Sequence, residues 1–364
     1  MENKDKISIE RIEAEIAKIV NKENSIYFFV LDTKGNPSGS LEYIYKLALI
    51  LNDNGYNVTM LYQKEADDEF VGVGDWLGEK YANLKHSDIS NEDVGVSPSD
   101  ILFIPEIFSN IMIQTKKLPC KRIAILQNYD YILEQMPLSS QWGDLGILEC
   151  ISNTDVNSEL LKEIFPYVKT TVVEPYIDEM FGETNEHKKL IVNIVGKYQG
   201  DINKIIKPFY WKYPVYKWIS FRDLRGFPKE IYSKYLRESA ITVWADDETS
   251  FGYSALEAMK SGSIVLAKRP EMLQRWMVND EGNNLSDCCV WFDSFHELHK
   301  MLASVIRAWI TDNVPNEIFE AAEKSVSKYS YESTKDSILS FIGGIMEGRK
   351  NEMESLITHI KTKS

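Results

Sequence analysis

Residues 246–269 read DDETSFGYSALEAMKSGSIVLAKR, directly after an apolar run, AITVWA at 240–245. The run is short and rich in β-branched and aromatic residues, the mark of a buried strand. It ends in acidic residues. A tight turn at Ser250, Phe251 and Gly252 then leads into helix formers from Tyr253 that stop at Gly262. A second apolar run, SIVLAK, follows at 263–268. Strand, turn, helix and strand in that order build a parallel sheet, and open sheets of this kind bind ligands beyond the carboxyl ends of their strands. The helix N-terminus at Gly252 and Tyr253 meets that edge. Its unpaired N–H groups and positive dipole end favour a phosphate, and Gly252 lets the backbone approach closely. Glu257 lies one turn inside the helix, on the side of Tyr253, and is placed to accept hydrogen bonds from sugar hydroxyls.

The same alternation runs outward through the chain. SIYFFVLD at 25–32 and NVTMLY at 57–62 read as strands. Between them lie a turn-rich segment over 33–40 and a helix with Leu41, Ile44, Tyr45, Ala48 and Leu51 on one face, closed near Gly55. DILFIPE, RIAILQN, GILECIS and TTVVEP are further strand candidates. The polar segment YIDEMFGETNEHKK at 176–189 reads as an interdomain linker. After it the pattern restarts with LIVNIVG, VYKWISF, AITVWAD and SIVLAK as strands among helices, and no strand follows CCVWF. The expected class is α/β, with two Rossmann-like domains facing a cleft: residues 1–180, which carry an extra amphipathic helix marked by Ile9, Ile12, Ile16 and Ile19, then residues 181–335, then C-terminal helices over 336–364.

Over 364 residues the chain carries 55 acidic against 41 basic side chains, a formal charge of −14. A field of that sign repels phosphate backbones and anionic lipid and argues against general duplex binding. No apolar run reaches the roughly 18 residues of a membrane span, and the charged N-terminus lacks a signal-peptide core. Cys120, Cys150, Cys288 and Cys289 show no CxxC spacing. A soluble, cytoplasmic protein is expected. His296 and His299 share a helix face without an evident third ligand, so no metal is expected. From Asp201 to Arg225 aromatics interleave with six basic and two acidic residues. That local excess opens a nucleic-acid reading beside the ordinary one of packed aromatics and solvated lysines.

SFGYSALEAMKSG at 250–262 resembles the signature of the retaining glycosyltransferases of family 4, and of GT-B fold glycosyltransferases broadly. The resemblance implies transfer of a sugar from a nucleotide-diphosphate sugar, UDP- or GDP-linked, to a glycan or other hydroxyl, with retention and without a metal or other cofactor. It implies that Glu257 binds the ribose and that Ser250, Phe251, Gly252 and Tyr253 hold sugar and diphosphate. The family's first glutamate falls at Thr249, with Glu248 displaced by one. Either Glu248 reaches in through a local bulge or Thr249 makes a neutral hydrogen bond. PSGSLEYIYKLALILNDNGYNVTML at 37–61 resembles the family's glycine-rich loop and following helix, a loop that faces the donor diphosphate or the acceptor across the cleft, and Ser38, Gly39 and Ser40 are the expected donor contacts there. NIVGKYQGDINK at 193–204 resembles the start of the second domain, with Lys197 at the arginine position and Lys204 as second cation on the diphosphate. Gln127, Asn128 and Tyr129 stand where a histidine is usual near the donor sugar, and Asn128 is the expected contact. The loop at Arg225, Gly226, Phe227 and Pro228 matches the segment that contacts the nucleobase. The alternatives are a base glycosyltransferase acting on a hydroxylated nucleobase, and a nucleotide-sugar-binding protein without turnover. The C-terminal helices are expected to cross back onto the first domain.

Overall fold

The computed structural model describes residues 24–363 except 65–68, 91–93, 183–186, 198–199 and 247–250. The helix expected over the first twenty residues lies outside them, as does part of the expected linker.

The first sheet contains β1 (Ser25–Phe29), β2 (Asn57–Tyr62), β3 (Lys85–Asp88), β4 (Ile101–Pro105), β5 (Lys121–Leu126), β6 (Glu149–Ser152) and β7 (Lys169–Val172). All pairings are parallel, in the order β3-β2-β1-β4-β5-β6-β7. The second contains β8 (Lys189–Val195), β9 (Ser220–Asp223), β10 (Ser239–Trp244), β11 (Ile264–Lys268) and β12 (Val290–Phe292), parallel in the order β12-β11-β10-β8-β9. The expected α/β class with two parallel sheets is therefore the observed one. Central strands read as continuous apolar runs because helices cover both faces of each sheet. Ile26 and Phe28 pack on one face of the first sheet, Tyr27 and Phe29 on the other.

The structure departs from the sequence reading at several elements. β3 is the polar stretch KHSD at the sheet edge, too short and hydrophilic to announce itself. VYKWISF is a strand only from Ser220. Pro214–Tyr216 forms a 3₁₀ turn instead, and Val215 and Trp218 face solvent. Within the expected linker, Tyr176, Ile177 and Phe181 are buried rather than solvated, because Tyr176 joins the core of the first half and Ile177 and Phe181 that of the second. One continuous helix, Tyr331–Lys363, replaces the helices expected from 336. It does return to the first sheet's core. Ile338, Ile342 and Ile345, on one helical face, join that cluster, and Arg349 donates to the carbonyls of Ser99 and Asp100 at 2.6 and 3.1 Å.

Both sheets reverse strand order at a central pair, β1 with β4 and β8 with β10. Carboxyl-terminal loops diverge at such a point and leave a crevice.

Candidate functional site

Between the carboxyl edges of the two sheets lies a cavity of about 340 Å³, lined from both halves. From the first half come Ser38, Gly39 and Ser40, with Trp76, Gln127 and Asn153. From the second come Gly196 and Lys197 after β8, Arg225 to Phe227 after β9, Asp246 after β10, and the turn Phe251–Gly252–Tyr253 with Glu257.

Local sequence explains each position. Gly252 caps the helix Tyr253–Lys260 in the left-handed conformation, at φ +85°, and a Cβ there would stand 2.7 Å from the Trp276 ring. Only glycine fits both constraints. Phe251 is not a cleft side chain in the main. It is 3% exposed, packs edge-on against Tyr253 and Tyr329, and its carbonyl accepts from Trp276 Nε1 at 2.8 Å. The turn is thus held from behind by aromatic packing while the helix N-terminus faces the cavity. Gly196 takes φ +104°, and a Cβ on it would meet the Ala245 carbonyl at 2.9 Å. The next amide, that of Lys197, donates to Asp246 Oδ1 at 2.6 Å. This ties the ends of β8 and β10 together and leaves the exposed Lys197 side chain on the cavity wall. Across the cleft, Ser38 caps the helix Gly39–Asp53, and a Cβ on Gly39 would touch the Tyr253 ring at 3.4 Å.

Beneath the cavity the described residues form a network of five charges, four of them buried and Asp178 at the edge. Lys229 pairs with Glu42 at 2.5 Å and with Glu257 at 2.6 Å. Lys46 pairs with Glu42 and with Asp178, both at 2.7 Å, and donates to the Tyr176 carbonyl at 2.9 Å. Three carboxylates share two ammonium groups, so one negative charge is in excess. Burial pushes Glu42 up, but Lys229 and Lys46 outweigh it and hold the carboxyl at about 2. At Glu257 burial comes first and the neighbouring Glu42 adds to it, so Lys229 and the more weakly felt Lys46 leave its carboxyl above the ordinary range. The residue matching the family's ribose glutamate is therefore already engaged by Lys229 of its own half, which in turn reaches Glu42 across the cleft.

The structure brings Ser38, Gly39, Ser40, Lys197, Arg225, Phe251, Gly252, Tyr253 and Glu257 to one cavity. It does not bring Lys204 there. The side chain is exposed on the first turn of the helix Asn203–Lys212, which carries it away from the strand end. Asn128 is likewise corrected: its side chain caps the helix Tyr129–Gln135 by accepting from the Asp130 amide, and its neighbour Gln127 faces the cavity instead. Glu248, Thr249 and Ser250 lie outside the described residues. Arg225 forks onto Asp223 at 2.7–3.1 Å. Glu42, Lys46, Asp178 and Lys229 went unread in the sequence. For Glu42 and Lys46 the signal is a charge within an otherwise apolar, buried helix, beside Tyr43, Tyr45 and Leu47.

In the aromatic-basic stretch, Phe209 and Tyr216 stack within the second core while Trp211 and Trp218 are 74% and 61% exposed. His299 bonds the Ile205 carbonyl at 2.9 Å, and no group of three metal-ligating side chains stands among the described residues. No helix among them is long and apolar enough to cross a membrane. All four cysteines are free and buried.

No family model matches the chain. An α-1,6-glucosyltransferase of Actinobacillus pleuropneumoniae serotype 7 (strain AP76) is 23% identical over 188 residues, covering 49% of this chain and 55% of that protein. The match thus spans about half of that relative's length. Among solved structures, sucrose-phosphate synthase of Thermosynechococcus elongatus superposes with a TM-score of 0.62 at 12% identity, over 89% of this chain and all of that one. Anabaena HepE, solved with UDP-glucose, gives 0.61 at 11% identity, over 88% and 99%. An α-glucosyltransferase solved with UDP and a 13-mer DNA containing a HMU base gives 0.56 at 14%, over 87% and 100%. The fold is that of the GT-B glycosyltransferases.

Proposed function

We propose that this chain is a glycosyltransferase that moves a sugar from a nucleotide-diphosphate sugar to a hydroxyl acceptor. The observation that carries the reading is the convergence of Lys197, the Gly252–Tyr253 helix N-terminus and Glu257 on one cavity between two parallel sheets. Departure of a diphosphate builds negative charge. Fixed donors aimed at that charge stabilise the transition state, and losing one typically costs about 100–1,000-fold in rate. Lys197 supplies a mobile ammonium and the helix N-terminus supplies oriented N–H groups. Glu257 accepts from the ribose hydroxyls, with Lys229 holding its orientation. In this reading these cations and dipoles act on the diphosphate in place of a divalent ion. The resemblance of residues 250–262 to the family 4 signature supports retention of anomeric configuration. The nucleotide is of the UDP or GDP type, and the acceptor is a glycan or another hydroxyl compound.

A second reading has a nucleobase hydroxyl as acceptor. It is favoured by the exposed Trp211 and Trp218 among Lys204, Lys207, Lys212 and Lys217, and by the fold shared with a DNA-bound glucosyltransferase. Incubation with a panel of UDP- and GDP-sugars, with release of nucleotide as the signal, tests the first reading. The expected result is release that accelerates when an acceptor is added. A mobility shift on hydroxymethylated DNA tests the second. A chain that binds nucleotide yet releases none from any donor is a binding protein.

A further inference from the structure

Beside the cleft, on the side of the first sheet, lies a smaller hollow of about 220 Å³. It shares Ser38, Ser40, Gln127 and Lys197 with the larger cavity, so a group seated in one lies next to a group seated in the other. Leu31, Ile44, Phe108 and Tyr131 give it apolar walls. Among the described lining residues one is acidic, Glu106, immediately after β4 and 2% exposed.

Half of this carboxyl has an evident structural task. Oε1 accepts the amides of Gln127 and Asn128 at 3.0 and 2.7 Å and so fixes the turn after β5. The other half has none among the described residues, where Oε2 is buried and finds no partner. An unpaired buried carboxyl oxygen is costly, and cores rarely keep one without a use. Resting on the donor reading above, we propose that this hollow seats the acceptor as a single uncharged pyranose ring, with Glu106 Oε2 taking the hydrogen bond of one of its hydroxyls. A pyranose offers an apolar C–H face to Phe108 and Tyr131 and hydroxyls at its edge. One ring suits the volume, and an anionic acceptor is disfavoured beside the carboxylate. The hydroxyl so held lies on the Lys197 side, where the donor's sugar arrives.

The interaction needs ionised Glu106. Burial raises this carboxyl to about 7, with the turn amides and Lys197 opposing the rise only in part. The other titratable groups around it are Tyr43 on the helix Gly39–Asp53 and Cys150 on β6. Burial lifts both far above neutrality, so both stay uncharged while Glu106 titrates.

Saturation-transfer NMR with methyl α-glucoside and methyl β-glucoside on the full chain tests the assignment, with UDP titrated in parallel by calorimetry. The expected result is transfer to at least one glucoside at pH 8.5 that fades below about pH 6. Binding should weaken about tenfold or more in E106Q, as losing a charged hydrogen bond implies, and persist in E106D. An unchanged UDP heat in E106Q certifies that the variant is folded. Absence of transfer, transfer equal at both pH values, or transfer unaffected in folded E106Q overturns the assignment while leaving the donor reading intact. Pyranose transfer in a chain that gives no UDP heat overturns the donor reading and leaves this subsite standing.

Discussion

Lys229, at the start of a helix of the second half, ion-pairs with Glu42 of the first half at 2.5 Å, although 187 residues separate them. The same ammonium holds Glu257 at 2.6 Å. One buried cation thus fastens the two halves together and orients the residue proposed to bind the ribose.

Removing that cation strands charge. In K229M, Glu42 keeps Lys46 but Glu257 is left buried without an ion-pair partner among the described residues. Loss of one partner from a buried pair costs about 3–5 kcal/mol. Urea unfolding at pH 8 is expected to show a loss of that size, shrinking at lower pH as Glu257 takes up a proton. A loss below about 1 kcal/mol at pH 8 contradicts the network.

Removing Glu42 is milder. In E42Q two carboxylates, Glu257 and Asp178, face two lysines, and the excess charge is gone. The expected loss is smaller than that of K229M, and it depends on pH. Glu42 titrates at about 2 in the folded chain against an ordinary 4.5, so its contribution is present above 4.5 and lost as pH falls toward 2. Unfolding of E42Q and the parent at pH 7 and pH 3 checks the sign: the gap between them narrows at the lower pH.

Glu106 behaves oppositely. Its carboxyl titrates at about 7 in the folded chain against an ordinary 4.5, so ionisation weakens the fold as pH rises through that window. E106Q is expected to gain on the parent between pH 5 and pH 8, by on the order of 3 kcal/mol for a shift of this size. Equal differences at the two pH values refute the inverted titration.

At Gly252 the backbone leaves no room for a side chain. G252A puts a Cβ at positive φ and against Trp276, and the left-handed conformation alone costs about 1–2 kcal/mol. The turn must shift, so both thermal stability and nucleotide affinity are expected to fall together. A variant with parental nucleotide affinity removes this turn from the site.

Much of this architecture was legible in sequence. Strands buried on both faces, such as ILFIP and KRIAIL, must be continuously apolar, and turns at Gly196 and Gly252 must be glycine. The edge strand KHSD buries little and leaves no such trace. VYKWISF read as one strand because its exposed Val215 and Trp218 mimic core residues. At the site, Lys197 and Glu257 follow from their distance to a strand end or helix start. Lys204 failed that test because its helix turns it outward. Glu42 and Lys229 define each other only in three dimensions, and Glu106 is one acidic residue after an apolar strand until its unpartnered oxygen is seen.

The most direct test of the central claim is calorimetric titration of the full chain and of K197A with UDP and GDP. The parent is expected to bind at least one nucleotide with one site per chain, and K197A to bind it about tenfold or more weakly, as expected for loss of a charged hydrogen bond to phosphate. No heat from either nucleotide in the folded parent, or an undiminished affinity in K197A, contradicts a diphosphate held in this cleft by Lys197.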